Sequence, residues 1–144
     1  MALPDPQPGL VISYSYLWHE EHRQGRIEGV KNRPCAIVLA VVADDGGKTV
    51  FVAPVTHTAP RDKDAAVEIP PATKGRLRLD GQRSWVVISE VNQFAWPGAD
   101  LAAVPGNPGR FDYGFLPPGL YKKIAVLFAK RARAKKVAAV SRED

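Results

Sequence analysis

The sequence predicts a mainly β fold: a small, strongly curved antiparallel sheet or partly open barrel with one packed C-terminal helix. Three features predict it. Residues 10–18 (LVISYSYLW) alternate in polarity, as a strand with one wetter face does. Residues 34–42 form an apolar, β-branched run typical of a strand buried on both faces. Residues 117–128 begin with two prolines and carry apolar side chains at helical spacing.

Turn and breaker residues predict the remaining elements. The DDGG turn at residues 44–47 joins the apolar run to a returning strand at 48–53, which we expect Pro54 to end. Shorter strands are predicted at residues 66–69 and 84–91. Between these elements the sequence predicts loops at residues 19–33, 55–64, 72–83 and 97–114.

Chain length bears on the number of domains, and net charge bears on the kind of binding partner. The chain has 144 residues, which suits a single domain over residues 1–144. We expect an extended lead-in at residues 1–8, which hold three prolines, and a basic C-terminal tail at residues 130–144. The net charge of +5 and the pI of about 9.5 favour an anionic partner.

The single cysteine and the hydropathy of the chain indicate a reducing compartment. Cys35 is the only cysteine, so an internal disulfide scaffold is excluded, and its place inside the apolar run is typical of a small buried residue. No stretch approaches the length of a membrane span, and the N-terminus lacks a secretory signal pattern. We therefore expect a cytoplasmic protein with no membrane partner.

Two of the predicted loops should meet at one edge of the sheet. Arg33 opens the second strand, and Thr56 follows the third strand, to which the second is joined by the DDGG turn. Antiparallel neighbours joined by a hairpin place the start of one strand beside the end of the other. We therefore expect Arg33 and Thr56 to lie close together.

A guanidinium beside a hydroxyl suits the binding of a phosphate. Arginine offers a planar fork of N–H donors, and such donors stabilise the charge that develops on a pentacoordinate phosphorus. Glu28, in the loop before Arg33, is a candidate general base. The remaining candidates for substrate binding or proton transfer are Lys31, His19, His22 and His57.

Each of the three catalytic candidates also has an interpretation without function. Arg33 is compatible with the solvated end of a strand, Thr56 with the closure of a turn, and Glu28 with an ordinary loop charge. His19 and His22 form an HEEH motif, but zinc needs further ligands and the sequence shows no evident helix there, so we expect no metal site.

Aromatic and basic residues outside these loops leave a similar choice open. Trp85, Phe94 and Trp96 suit either base stacking or the apolar core and its rim. The basic run at 130–136 suits either a solvated helix end or a general attraction to phosphate.

Several segments together resemble the MazF/PemK toxin family. Gly9 precedes the first strand, Arg33-Pro34 opens an apolar strand (RPCAIVLA), and APVT at 53–56 follows the next strand. SWVVISEVNQF, which begins at Ser84, is similar to that family's fourth-strand segment, and LPPGLYKKIAVLF is similar to its C-terminal helix. The resemblance extends from residue 9 to residue 128.

The resemblance implies an SH3-like β-barrel, usually a homodimer, that acts as the toxin of a type II toxin–antitoxin pair. Such toxins are endoribonucleases that cut single-stranded RNA, often mRNA, without a metal or cofactor. The ribose 2′-hydroxyl attacks the adjacent phosphate, which leaves a 2′,3′-cyclic phosphate and a 5′-hydroxyl. The implied protein partner is an antitoxin whose disordered, often acidic tail covers the RNA groove.

The resemblance also assigns roles to residues. Arg33 matches the family's catalytic arginine, which serves in proton transfer and in charge stabilisation. Thr56 matches the threonine or serine that holds the phosphate, and Glu28 lies where some members carry a glutamate. The chain departs from the family at Gly9-Leu10, where Gly-Asp is usual. It also has a longer first loop with the HEEH motif and a long segment at 97–114.

Two other functions stay open on the sequence. A CcdB-like growth inhibitor on the same fold would bind DNA gyrase without cutting RNA. An inactive barrel would bind RNA through a basic rim. The pair of Arg33 and Thr56 favours the nuclease, because a gyrase poison does not need it.

Overall fold

The computed structural model describes residues 3–142 and has the predicted mainly β architecture. Eight strands form one curled sheet, and a long helix near the C-terminus packs against it. The strands are β1 (Leu10–Ser15), β2 (Asn32–Val42), β3 (Lys48–Thr56), β4 (Ala66–Glu68), β5 (Trp85–Val87), β6 (Glu90–Ala95), β7 (Asp112–Phe115) and β8 (Ala138–Ser141). The α-helices are α1 (His19–Arg23), α2 (Pro71–Arg76) and α3 (Pro118–Arg133).

The sheet curls because β3 has two successive neighbours along one of its edges. The main strand order is β4-β5-β3-β2-β1-β7, and all of these neighbours are antiparallel. On the edge of β3 away from β2, the first half of β3 pairs with β6 and its last two residues pair with β5. β8 then adds to β6 in parallel.

The pairing of β2 with β3 contains an irregularity that sharpens this curl. Cys35 lies opposite Pro54, and the register shifts by one residue between Ile37 and Leu39. An extra residue of this kind bends a strand and increases its twist. The curl turns the first residues of β2 and the last residues of β3 toward one side of the sheet.

The predicted end of β3 at Pro54 is wrong. β3 continues to Thr56, because Val55 and Thr56 pair with Val86 and Trp85 of β5. Proline removes a single N–H donor, and its fixed φ is compatible with extended chain.

Burial along β1 and β2 differs from the prediction in opposite directions. β1 has no wetter face: Ser13 is buried, and its hydroxyl donates to the carbonyl of Ala103 at 3.3 Å. The segment 100–111 runs along β1 and covers it. β2 was expected to be buried throughout, yet Leu39, Val41 and Val42 are exposed beyond the register shift.

Two predicted loops contain short helices, which leave little periodic signal in a sequence, and one predicted strand is divided in two. Helix α1 occupies part of the expected loop at 19–33, and helix α2, with Pro71 in its first turn, occupies part of the expected loop at 72–83. The predicted strand at 84–91 divides into β5 and the start of β6, which pair with different parts of β3.

The core forms on both faces of the sheet. On one face, Ile124 of α3 is fully buried, and Leu120, Leu127 and Phe128 pack around it, which confirms the predicted apolar stripe. On the other face, the rings of Tyr14 and Phe94 stack with their centroids 4.8 Å apart. Phe94 is therefore a core residue and is not available to stack on a base.

The predicted basic tail is wrong for the described part of the chain. α3 extends to Arg133, and β8 follows it as a strand of the sheet. The guanidinium of Arg142 is buried: Nη1 donates to the Ser15 carbonyl at 2.8 Å and to Asn92 Oδ1 at 3.0 Å, and Nη2 lies 3.0 Å from the Asp100 carboxylate. Residues 143–144 lie outside the described residues.

Two further sequence expectations concern the N-terminal lead-in and membrane-spanning segments. Residues 3–7 have no regular secondary structure, as expected, and residues 1–2 of the predicted lead-in lie outside the described residues. None of the helices between residues 3 and 142 combines the length and the hydrophobicity that a membrane crossing requires.

Arg142→Met tests whether β8 is part of the fold. The substitution removes the donor to the Ser15 carbonyl and to Asn92 Oδ1, and the cation beside the Asp100 carboxylate, so we expect the free energy of unfolding in urea to fall by about 3 kcal/mol. Arg133→Met removes an exposed arginine from the same region and is the matched control, expected within about 0.5 kcal/mol of wild type. Equal stability of the two variants would contradict the view that the contacts of Arg142 hold β8 in the fold.

Candidate functional site

A large open cavity of about 1230 Å³ lies where β2 begins and β3 ends. Its walls come from the strand ends, from the loop after β3, from the region of α2 and the chain that follows it, and from parts of the 97–114 segment. Five cationic side chains and two carboxylates line it: Lys31, Arg33, Arg61, Lys74, Arg78, Asp62 and Asp80. The excess of cations makes the cavity attractive to an anion.

Arg33 is held at the cavity wall without a carboxylate partner. Its guanidinium carbon lies 5.0 Å from the ring centroid of Trp18, and Nη1 donates to the Val55 carbonyl at 3.4 Å. Nε is buried and has no hydrogen-bond partner. Within residues 3–142, Arg33 forms no ion pair with Asp or Glu. The side chain is thus oriented by an aromatic face and retains donors for a ligand.

Thr56 ends β3 and lines the same cavity as Arg33, so the predicted convergence of the two strand ends is observed. Thr56 Oγ1 accepts a hydrogen bond from the backbone N–H of Thr58 at 3.2 Å. This bond closes the turn after the strand, as the non-functional interpretation proposed, and leaves the hydroxyl hydrogen available to a ligand.

The other sequence candidates divide into two groups. Lys31 and His57 line the cavity with Arg33 and Thr56. Glu28, His19 and His22 are not among its lining residues: Glu28 is exposed in the loop after α1, and both histidines belong to α1. The backbone N–H of His19 donates to Glu90 Oε1 at 2.9 Å, which anchors α1 to β6.

A second polar group in the cavity was missed by the sequence analysis. His57 Nε2 lies 2.7 Å from Asp80 Oδ2, and Lys74 Nζ donates to Asp80 Oδ1 at 2.6 Å. Lys74 Nζ also donates to Ser84 Oγ at 2.6 Å and to the Gln82 carbonyl. The Lys74 side chain is 6% exposed, so these acceptors replace water around a buried cation.

The end of α2 explains why Asp80 returns to Lys74. The N–H of Leu79 bonds to the Lys74 carbonyl, the N–H of Arg78 bonds to the Gly75 carbonyl, and Arg78 has a φ of 58°. This is a Schellman motif with arginine at the left-handed position that glycine usually occupies. It reverses the chain, so that Asp80 lies beside Lys74 on the cavity wall. Because Arg78 stands where such a motif usually has glycine, the sequence carries no signal for the end of this helix.

Lys74 fixes the charge state of Asp80. The hydrogen bond from Lys74 is the largest cause that lowers the pKa of Asp80 below its usual value of 3.8, and the Gln82 N–H and His57 act in the same direction against desolvation. Asp80 is therefore a carboxylate at neutral pH, and it presents an acceptor to the His57 ring.

The three tryptophans of the chain lie in different places. Trp18 lines the cavity beneath Arg33, whereas Trp85 is 7% exposed and belongs to the sheet. Trp96 is half-buried and packs against the Tyr14 cluster. Trp18 is therefore the aromatic ring in contact with Arg33 at the cavity wall, and Tyr113 is a second aromatic residue among the lining residues.

Comparisons with known proteins identify no family: no protein-family model matches the chain, and no curated protein matches it. Across residues 3–142, three or more His, Cys, Asp or Glu side chains are nowhere grouped in a way that could hold a metal ion.

Asp80→Asn tests the charged network through the pH dependence of stability. Because the pKa of Asp80 is lowered on folding, its ionised form stabilises the native state at neutral pH, and this contribution disappears as the pH falls through the lowered pKa. We expect the variant to be less stable than wild type in urea at pH 7, and the difference to shrink toward pH 3 and below.

Asp44→Asn, in the exposed β2–β3 turn, is the matched control and should show little difference at either pH. A stability difference between Asp80→Asn and wild type that stays constant with pH would contradict the ionised network.

Proposed function

We propose that the chain is an endoribonuclease that cleaves single-stranded RNA without a metal ion, the toxin of a type II toxin–antitoxin pair of the MazF/PemK kind. The observation that carries the proposal is that Arg33 and Thr56 line the same cavity, in which the charged side chains are mainly cations. An arginine without a carboxylate partner, next to a free hydroxyl hydrogen, is suited to the non-bridging oxygens of a phosphodiester.

The same donors suit the transition state of RNA cleavage. The ribose 2′-oxygen forms a bond to phosphorus as the bond from phosphorus to the 5′-oxygen breaks, so negative charge accumulates on the non-bridging oxygens. Arg33 and Thr56 would donate to these oxygens most strongly at that point. The products are a 2′,3′-cyclic phosphate and a 5′-hydroxyl, and no water is consumed.

The cavity favours this function over the two alternatives. A growth inhibitor that acts by contact with gyrase needs no phosphate-binding arginine in a concave site. An inactive RNA-binding barrel needs a basic surface but no threonine hydroxyl beside the arginine. The orientation of Arg33 by Trp18 supports a site that acts on one phosphate rather than on a diffuse strand.

The proposed function implies partners and a place in the cell. RNA and an antitoxin would compete for the same cavity, and its excess of cations supports an acidic antitoxin segment as the competitor. The toxin would act as a homodimer in the cytoplasm, where mRNA and the antitoxin are made. Glu28, His19 and His22, which lie outside the cavity lining, have no assigned role in this scheme.

Arg33→Ala should reduce RNA cleavage by about 10²- to 10³-fold, because it removes the main donor to the charged transition state. The measurement is the rate of cleavage of a long single-stranded RNA in excess EDTA by purified protein, with the new ends mapped chemically. Cuts with 5′-hydroxyl and 2′,3′-cyclic phosphate ends are expected.

Arg26→Ala, in the exposed loop before β2, removes the same charge outside the cavity and should cleave at the wild-type rate. The proposed function fails if folded wild-type protein does not cut RNA, or if Arg33→Ala and Arg26→Ala cut it equally well.

A further inference from the structure

We propose that His57 is the general acid of the reaction, with Nδ1 donating a proton to the 5′-oxygen that leaves phosphorus, and that Asp80 positions its ring. This inference rests on the proposed function and assigns a proton donor to the same site. Arginine is a poor proton donor because its pKa exceeds about 12. Among the residues that line the cavity, His57 is the one whose side-chain type normally titrates near neutral pH.

The contact with Asp80 determines which ring nitrogen faces the substrate. Asp80 is ionised and can only accept, so His57 Nε2 carries the hydrogen of the 2.7 Å bond to Oδ2. Nδ1 is then the nitrogen left for the RNA. The side chain of His57 is 47% exposed, which leaves the ring accessible from the cavity.

Asp80 also fixes the orientation of the ring. Its carboxylate accepts the hydrogen of Nε2, so the other ring nitrogen, Nδ1, is left to transfer a proton. Lys74 acts one step further away: it holds Asp80 Oδ1 and leaves Oδ2 for the ring. The other charged side chains that line the cavity with His57 are Lys31, Arg33, Arg61, Arg78 and Asp62.

The proton balance of the step is complete. As the P–O5′ bond breaks, the proton moves from His57 Nδ1 to the 5′-oxygen, and the proton of the 2′-hydroxyl passes to solvent as the O2′–P bond forms. His57 ends the step neutral and regains a proton from water. Thr56 precedes His57 in the chain, so phosphate binding and proton donation come from adjacent residues of one strand end.

A substrate with a different leaving group tests whether His57 acts as the proton donor or affects cleavage in another way. The substrate is an RNA oligonucleotide in which sulfur replaces the bridging 5′-oxygen at the mapped cleavage site. A thiolate, whose conjugate acid has a pKa of about 8.5, leaves without a proton. We expect His57→Gln to slow cleavage of all-oxygen RNA by about 10²- to 10⁴-fold. On the sulfur substrate the loss should be less than about tenfold.

Asp80→Asn tests the positioning role with the same pair of substrates. Loss of the ring's orientation should slow cleavage of all-oxygen RNA by about 10²-fold, and the sulfur substrate should again relieve most of the loss. A purely structural effect of the substitution would slow both substrates alike. Denaturation in urea under the assay conditions establishes that each variant is folded.

His22→Gln is the matched control, because His22 is an exposed histidine outside the cavity lining. It should cleave both substrates at the wild-type rate. The proposal is overturned if His57→Gln slows both substrates equally, or if it cleaves all-oxygen RNA as fast as wild type. In either case wild-type cleavage and the Arg33→Ala defect would still stand, so the proposed function is judged separately.

Discussion

The pairing of β2 with β3 is the constraint on which the site depends. With Cys35 opposite Pro54, the same register places the first residues of β2 against the last residues of β3. Arg33 and Thr56 therefore reach one cavity without any contribution from a distant segment of the chain. A slip of this register by one residue would send the side chains of β3 to the opposite face and separate the two groups.

The part of the site that this hairpin builds could be predicted from sequence, and the rest could not. The DDGG turn and two apolar runs define the hairpin locally, so the neighbourhood of Arg33 and Thr56 follows from short-range rules. Lys74 belongs to a helix of six residues, and Asp80 belongs to the chain that turns back after the left-handed Arg78. Neither feature has a recognisable sequence signal, because a short helix has too few turns to show periodicity.

Long-range contacts account for the errors in the fold. Ser13 has the polarity of a surface residue, but its exposure depends on a segment 90 residues away. The basic run after Lys130 similarly has the composition of a solvated tail, but β8 pairs with β6, and Arg142 contacts Ser15 and Asn92, which lie far back in the sequence. Pairing over such distances is decided by shape and by buried polar contacts rather than by local composition.

The late position of β8 has a consequence for synthesis of the protein. β6 pairs with β8, and Asn92 of β6 lies 50 residues before its partner Arg142. At about 5–20 residues per second, a ribosome needs several seconds to add that stretch. During this interval the nascent chain carries β6 with one edge open, which is the state in which a sheet is most exposed to pairing with another chain. β8 therefore covers this edge of β6 only after α3, which precedes β8 in the chain, has been made.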